Sequence, residues 1–203
     1  MPLPIGLQAG PQNLGRNSPG ILRAGNTGEA LVSEFLPPYA QAGFDGLGFS
    51  AANQAAQAVS AALATSYTGL LLYNPIGSGV ILVPKLAKFV LTVAPAAIAS
   101  LGIISGVQTL APTGLTAVAP VSSQVGNAAT GKGLVYSVAT INTPVWRTQM
   151  VDGFTAAAFP APAAPYDFKG DVQILPGGFI AIGALTTVTG LGSLSWNEHA
   201  LAS

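Results

Sequence analysis

From residue 68 onward, short apolar runs alternate with turns marked by Gly, Pro and Asn. Gly69–Tyr73 (GLLLY) ends at Asn74-Pro75, a turn dipeptide, and Gly77-Ser78-Gly79 follows as a flexible reversal. Val80–Val83 and Lys85–Val93 come next. In the second of these, Ala87, Phe89, Leu91 and Val93 share one face, opposite Leu86, Lys88, Val90 and Thr92. The first set is apolar throughout, which predicts a half-buried strand with that face on the core. Ile98–Gln108, Leu115–Ser123, Leu134–Ile141 and Pro144–Asp152 continue the series. Ala156–Pro165 carries Pro160, Pro162 and Pro165 and reads as a loop. Phe168–Leu175 reads as a strand ending at Pro176-Gly177-Gly178; Phe179–Val188 and Leu191–Trp196 close the series. The breaks fall at about the 8–12-residue spacing of all-β sandwiches and barrels. No link has room for a regular crossover helix, so a parallel α/β sheet is disfavoured.

Two stretches depart from this rhythm. Phe49–Ser66 (FSAANQAAQAVSAALATS) is rich in Ala, the best helix former. As a helix it would align Ala55, Val59, Ala62 and Leu63. As a strand it would set Ala58, Ser60 and Ala62 against Val59, Ala61 and Leu63, and period alone does not decide. Met1–Gly46 is rich in Gly and Pro and has no sustained period. It reads as an extended N-terminal arm that takes its order from a partner surface, or equally as a floppy tail. The expected division is residues 1–46 as the arm and 47–203 as the β domain.

Charge alters the picture. Seven Lys or Arg stand against seven Asp or Glu, so the formal net charge is zero and only 7% of the chain is charged. Soluble domains usually carry roughly 25%. Half of the residues are apolar, which argues against disorder. So few basic residues exclude a nucleic-acid binder that works by neutralising phosphates. The chain has no Cys, which removes disulfides and thiolate metal sites. Near-zero net charge favours association, so much of the surface is expected to be covered in the working state. The charge is also unevenly spread. Arg16, Arg23, Glu29, Glu34 and Asp45 lie near the start, and none falls between Phe89 and Gly131.

The mean hydropathy of +0.54 raises the question of a membrane. Val90–Val107 approaches the length of a spanning helix, about 20 apolar residues. It is interrupted by Pro95, Gly102 and Gly106, and its low charge is shared by the whole chain. A β reading is preferred and no membrane partner is expected. The first twenty residues lack the basic start and apolar run of a secretory signal.

Candidate chemistry is sparse. The one histidine, His199, falls after the last expected strand, in a surface tail. Catalysis would require a nucleophile or acid oriented beside it. Asp167 and Asp171 flank Lys169, a poor calcium loop and a good solvated edge. Asp152, Asp167, Asp171 and Glu198 are the acids a hydrolase would have to draw on, and no spacing pairs them. No phosphate-binding loop, nucleophile elbow or zinc-protease motif occurs. No enzyme activity, cofactor or metal is expected. Two clusters remain, both built of turn and core residues. One is Asn74, Pro75, Gly77, Ser78 and Gly79. The other runs from Pro176, Gly177 and Gly178 to Trp196, whose indole can lock the last strand into the core.

Three segments together resemble a group of small virion proteins of tailed bacteriophages: FSAANQAAQAVSAALATSYTGLLLYNPIGSGV, APAAIASLGIISG and LPGGFIAIGALTTVTGLGSLSWNE. The resemblance covers roughly residues 43–198 and consists of several spaced motifs. It implies a jelly-roll-type antiparallel β-sandwich, homotrimeric, on the capsid surface of the virion as a decoration or cement protein or a short head fibre. The partners implied are sister subunits and the major capsid protein. The arm, with Arg16, Arg23, Glu29 and Glu34, would be the attachment element. The resemblance also favours extended structure over helix before Gly69, and supplies no catalytic residue. The alternative within a virion is a tail or host-attachment module, which should present aromatic and polar side chains to a receptor.

Overall fold

The structure, a computed structural model, describes residues 42–43, 45–61, 63–154 and 164–201. Among the described residues twelve strands are formed: β1 Gly48–Ala52, β2 Gln57–Val59, β3 Ser66–Tyr73, β4 Val80–Leu91, β5 Ala99–Val107, β6 Thr113–Val118, β7 Val121–Ser122, β8 Leu134–Thr140, β9 Val145–Phe154, β10 Ala164–Asp167, β11 Gly178–Ala184 and β12 Val188–Ala200. The Ala-rich stretch is therefore extended, holding β1 and β2, and not a helix.

One sheet has the order β10-β4-β12-β1-β7, with β2 also on β12; the other runs β6-β8-β3-β11-β5-β9. Without β2, β6, β7 and β8, eight strands remain. They pair first with last, second with seventh, third with sixth and fourth with fifth: β1 with β12, β3 with β11, β4 with β10 and β5 with β9, all antiparallel. A long hairpin rolled into two packed sheets gives that pattern, the jelly roll. β6, β7 and β8 are an insertion that adds β8 and β6 beyond β3, and β7 beyond β1.

The main core lies between the sheets. Phe89, Leu91, Leu194 and Trp196 face Leu70, Leu72, Leu101, Ile103, Ile180 and Ile182 across it. On β4 the face carrying Ala87, Phe89 and Leu91 is buried as its alternation requires, while Lys88 and Val90 are exposed. Val93 lies beyond the strand end and is exposed.

β3 and β11 read as continuous apolar runs because their sheet is buried on both faces. A second cluster sits on its outer side: Tyr67, Leu71, Tyr73, Ile104, Phe179 and Ala181, joined by Tyr136, Ala139 and Ile141. β3 pairs with β11 only over Leu71–Tyr73, and a bulge between Thr68 and Leu71 turns its first half away with β8. The end of β8 then closes over the outer face. The Ile141 amide donates to Thr65 O, and the Asn142 carbonyl would sit 3.2 Å from a Cβ placed on Gly106. The Tyr67 hydroxyl donates to Leu70 O and Ile182 O, and burial pushes its phenol far above the ordinary range.

Several expected boundaries move: Leu115–Ser123 splits into β6 and β7, β10 begins inside the expected loop 156–165, and Phe179–Val188 divides between β11 and β12. Pro84 does not end a strand, because β4 passes through it at a register shift opposite Ser195 and Trp196, where a missing N–H is tolerated. Phe168–Leu175 is not a strand. Lys169 and Gly170 take positive φ, and only Ile174 pairs, with Leu82. His199 lies within β12, exposed, and not in a tail.

Candidate functional site

The two turn clusters meet in space, and Asn74 is the residue that joins them. It is 0% exposed and uses every hydrogen-bonding group it has. Its amide donates to Gly178 O (2.9 Å) and its carbonyl accepts from the Gly177 amide (2.8 Å). Its side-chain Nδ2 donates to Val80 O (2.8 Å) and Ile174 O (2.7 Å), while Oδ1 accepts from the Ser78 hydroxyl (2.6 Å). The ends of β3 and β11, the start of β4 and the Ile174 bridge are thereby fixed to one side chain.

Each turn has the chemistry its sequence indicates. In the first, the Ser78 amide donates to Pro75 O and Gly77 takes φ 76°; Gly79 follows at φ 71°. In the second, the Gly178 amide donates to Leu175 O, with Pro176 and then Gly177 at φ 87° between them. Pro followed by a residue with positive φ is the type II arrangement.

Trp196, also 0% exposed, stands at the other junction. Its ring lies 6.2 Å from that of Phe49, and its indole Nε1 donates to Glu198 Oε1 at 3.1 Å. The Glu198 carboxylate is 5% exposed and also accepts the Gly133 amide on Oε1 and the Lys132 amide on Oε2, both at 2.8 Å. Glycine leaves room for this carboxylate and the indole on both sides of Lys132. A Cβ on Gly131 would lie 2.5 Å from Oε1, and one on Gly133 would lie 3.0 Å from the indole nitrogen. Three N–H donors hold this buried carboxylate and pin the segment leading into β8 to the last strand. Such a group serves as a structural anchor.

Glu198→Gln keeps the shape but turns an NH2 group towards an amide donor. It should cost about 1.5–3 kcal/mol, the usual worth of hydrogen bonds to a charged acceptor. Urea unfolding would measure this, and a change under roughly 0.5 kcal/mol would contradict the anchoring role.

The acids Asp167 and Asp171 are exposed, and Asp167 Oδ1 caps the Lys169 amide. Among the described residues no three His, Asp or Glu side chains converge as a metal site, and no helix is long and apolar enough to cross a membrane. Arg16, Arg23, Glu29 and Glu34 lie outside the described residues. The sequence reading missed Glu198 as an anchor. Its only local signal is the Gly131-Lys132-Gly133 tripeptide, which gains meaning once β8 and β12 are neighbours in space.

No family model, curated protein or solved structure matches this chain.

Proposed function

We propose that this chain is a structural virion protein of a tailed bacteriophage, decorating or cementing the capsid surface as a homo-oligomer. The observation that carries the reading is the surface of the insertion. Five of the six residues of β6 are exposed, and this outermost strand of its sheet carries neither charge nor proline. Natural sheets normally protect such an edge with charge, proline or a cover, because an open one recruits another chain. β6 has only irregular pairing with β8 as protection. Along the same segment, Leu110, Leu115, Val121 and Val125 are exposed, all within the stretch that holds no charge. A protein whose sister subunits or docking surface cover this region avoids that cost. Attachment by the arm through Arg16, Arg23, Glu29 and Glu34 is part of the same proposal, as are the trimer and the major capsid protein as partner.

The host-attachment alternative is less well supported, because a glycan or receptor site would present rings. Among the described side chains every aromatic is buried or half-buried.

Quantitative mass spectrometry of purified particles tests the proposal. The expected result is many copies per particle, in fixed proportion to the major capsid protein. Absence from the particle, or a copy number proportional to tail proteins, would overturn it.

A further inference from the structure

We propose that the cleft between β9 and the segment leading into β11 binds a carboxylate carried on an apolar body. The cleft has a volume of about 470 Å³, within the range of roughly 300–1,000 Å³ in which small-ligand sites fall. Its walls are mostly apolar, with Val107, Val145 and Leu175 prominent, and two polar side chains besides one cation enter it: Ser105, Gln173 and Arg147.

Arg147 is the reason to assign it a ligand. Its Nε donates to the Ser105 hydroxyl at 3.2 Å, and Ser105, on the neighbouring strand, is itself buried. That bond uses Nε alone and holds the exposed side chain at the edge of the cleft, with two terminal nitrogens left as further donors. Among the described side chains it pairs with no carboxylate. In a chain with so few charges, an arginine braced by a buried hydroxyl against apolar walls is an unusual use of one. A guanidinium matches a carboxylate with two parallel hydrogen bonds. Among the described residues no second cation lines the cleft. A phosphate or sulfate dianion would keep uncompensated charge against the apolar wall, which is costly, whereas a carboxylate is neutralised. The apolar walls then favour a ligand with several methylenes next to the acid. The inference is independent of the virion reading, since it depends only on the cleft.

The source of the carboxylate is either a free acid or an acidic side chain of a partner peptide, and two probes separate them. The full-length protein would be titrated with hexanoate, and with a capped tripeptide that has a central aspartate between two leucines. Amide NMR shifts at Ser105, Gly106 and Val145, with the Arg147 Nε–H signal, give the readout. Saturable shifts at these positions are expected with at least one probe, and the tighter of the two identifies the source. Hexanamide should bind roughly three- to tenfold more weakly than hexanoate, as should hexanoate to Arg147→Gln. Acetate should be weaker than hexanoate by at least about tenfold, because the methylenes are lost. Equal binding of hexanamide and hexanoate to the unmodified protein would overturn the proposal without relying on any variant. So would the absence of shifts at these residues with both probes, or unchanged hexanoate binding by a folded Arg147→Gln protein.

Discussion

Trp196→Ala should lower the unfolding free energy by about 3–5 kcal/mol, read as a fall in the denaturant midpoint. The indole is the largest fully buried side chain of the main core and is 0% exposed. It lies on the central strand β12, between β4 and β1, so the cavity would open where the sheet has least freedom to collapse. Two further losses accompany the cavity. The Phe49 ring loses its neighbour, and Glu198 loses one of three donors while remaining buried. Trp196→Phe separates these contributions, because it keeps much of the packing and removes the N–H. Its cost should be clearly smaller. An alanine variant within roughly 0.5 kcal/mol of the parent would mean that Trp196 is not a core residue. A phenylalanine variant as damaging as alanine would mean that the bond to Glu198, and not the packing, dominates.

Trp196 also shows what the sequence made legible. Strands with one buried face declare themselves by alternation, and β4 did so through Ala87, Phe89 and Leu91. Turns declare themselves by residue chemistry, and both the Asn74–Gly79 and Pro176–Gly178 reversals lie where their residues indicate. The errors arise where a distant partner decides. β12 runs on to Ala200 because β4 pairs with it along that whole length, and because Glu198 finds its donors in Lys132 and Gly133. Read locally, Glu198 and His199 look like a polar tail. Phe168, Val172 and Ile174 are buried like strand residues, yet the turn at Lys169 and Gly170 denies the segment a ladder. The second core was hidden for the same reason. A continuous run such as GLLLY signals two buried faces but does not say what covers the second. The Arg147 cleft has no local signature either, since Ser105 and Arg147 become neighbours only through the pairing of β5 with β9.

Asn74→Asp should be among the most damaging single-atom changes available to this chain. It exchanges the Nδ2 group, which donates to Val80 O and Ile174 O, for an oxygen that can donate nothing when ionised. Each carbonyl loses its shortest hydrogen bond, although Ile174 O keeps the Leu82 amide at 3.1 Å and Val80 O keeps the Ser78 hydroxyl at 3.4 Å, and a negative charge is brought close to both at a position with 0% exposure. Each lost buried bond costs about 0.5–1.5 kcal/mol, and an unpaired buried charge costs more than either, so a loss of at least about 3 kcal/mol is expected. The pH dependence gives the change its own signature. Burial and the two facing carbonyls disfavour the ionised form, so the folded-state pKa of the new carboxyl lies above its unfolded value. The unfolded state then releases its proton first as pH rises, and the penalty grows until pH passes the folded pKa. The deficit relative to the parent should therefore shrink as pH falls towards the unfolded carboxyl pKa, about 3.9. It should not vanish, because a protonated acid restores one donor where two are needed. Asn74→Ala provides the control. It removes the same donors without adding charge, so its deficit should be smaller at neutral pH and flat across the acidic range. Equal and pH-independent deficits in the two variants would show that Asn74 is replaceable by any small residue. The β3–β4 and β10–β11 turns would then be held by their backbone bonds alone.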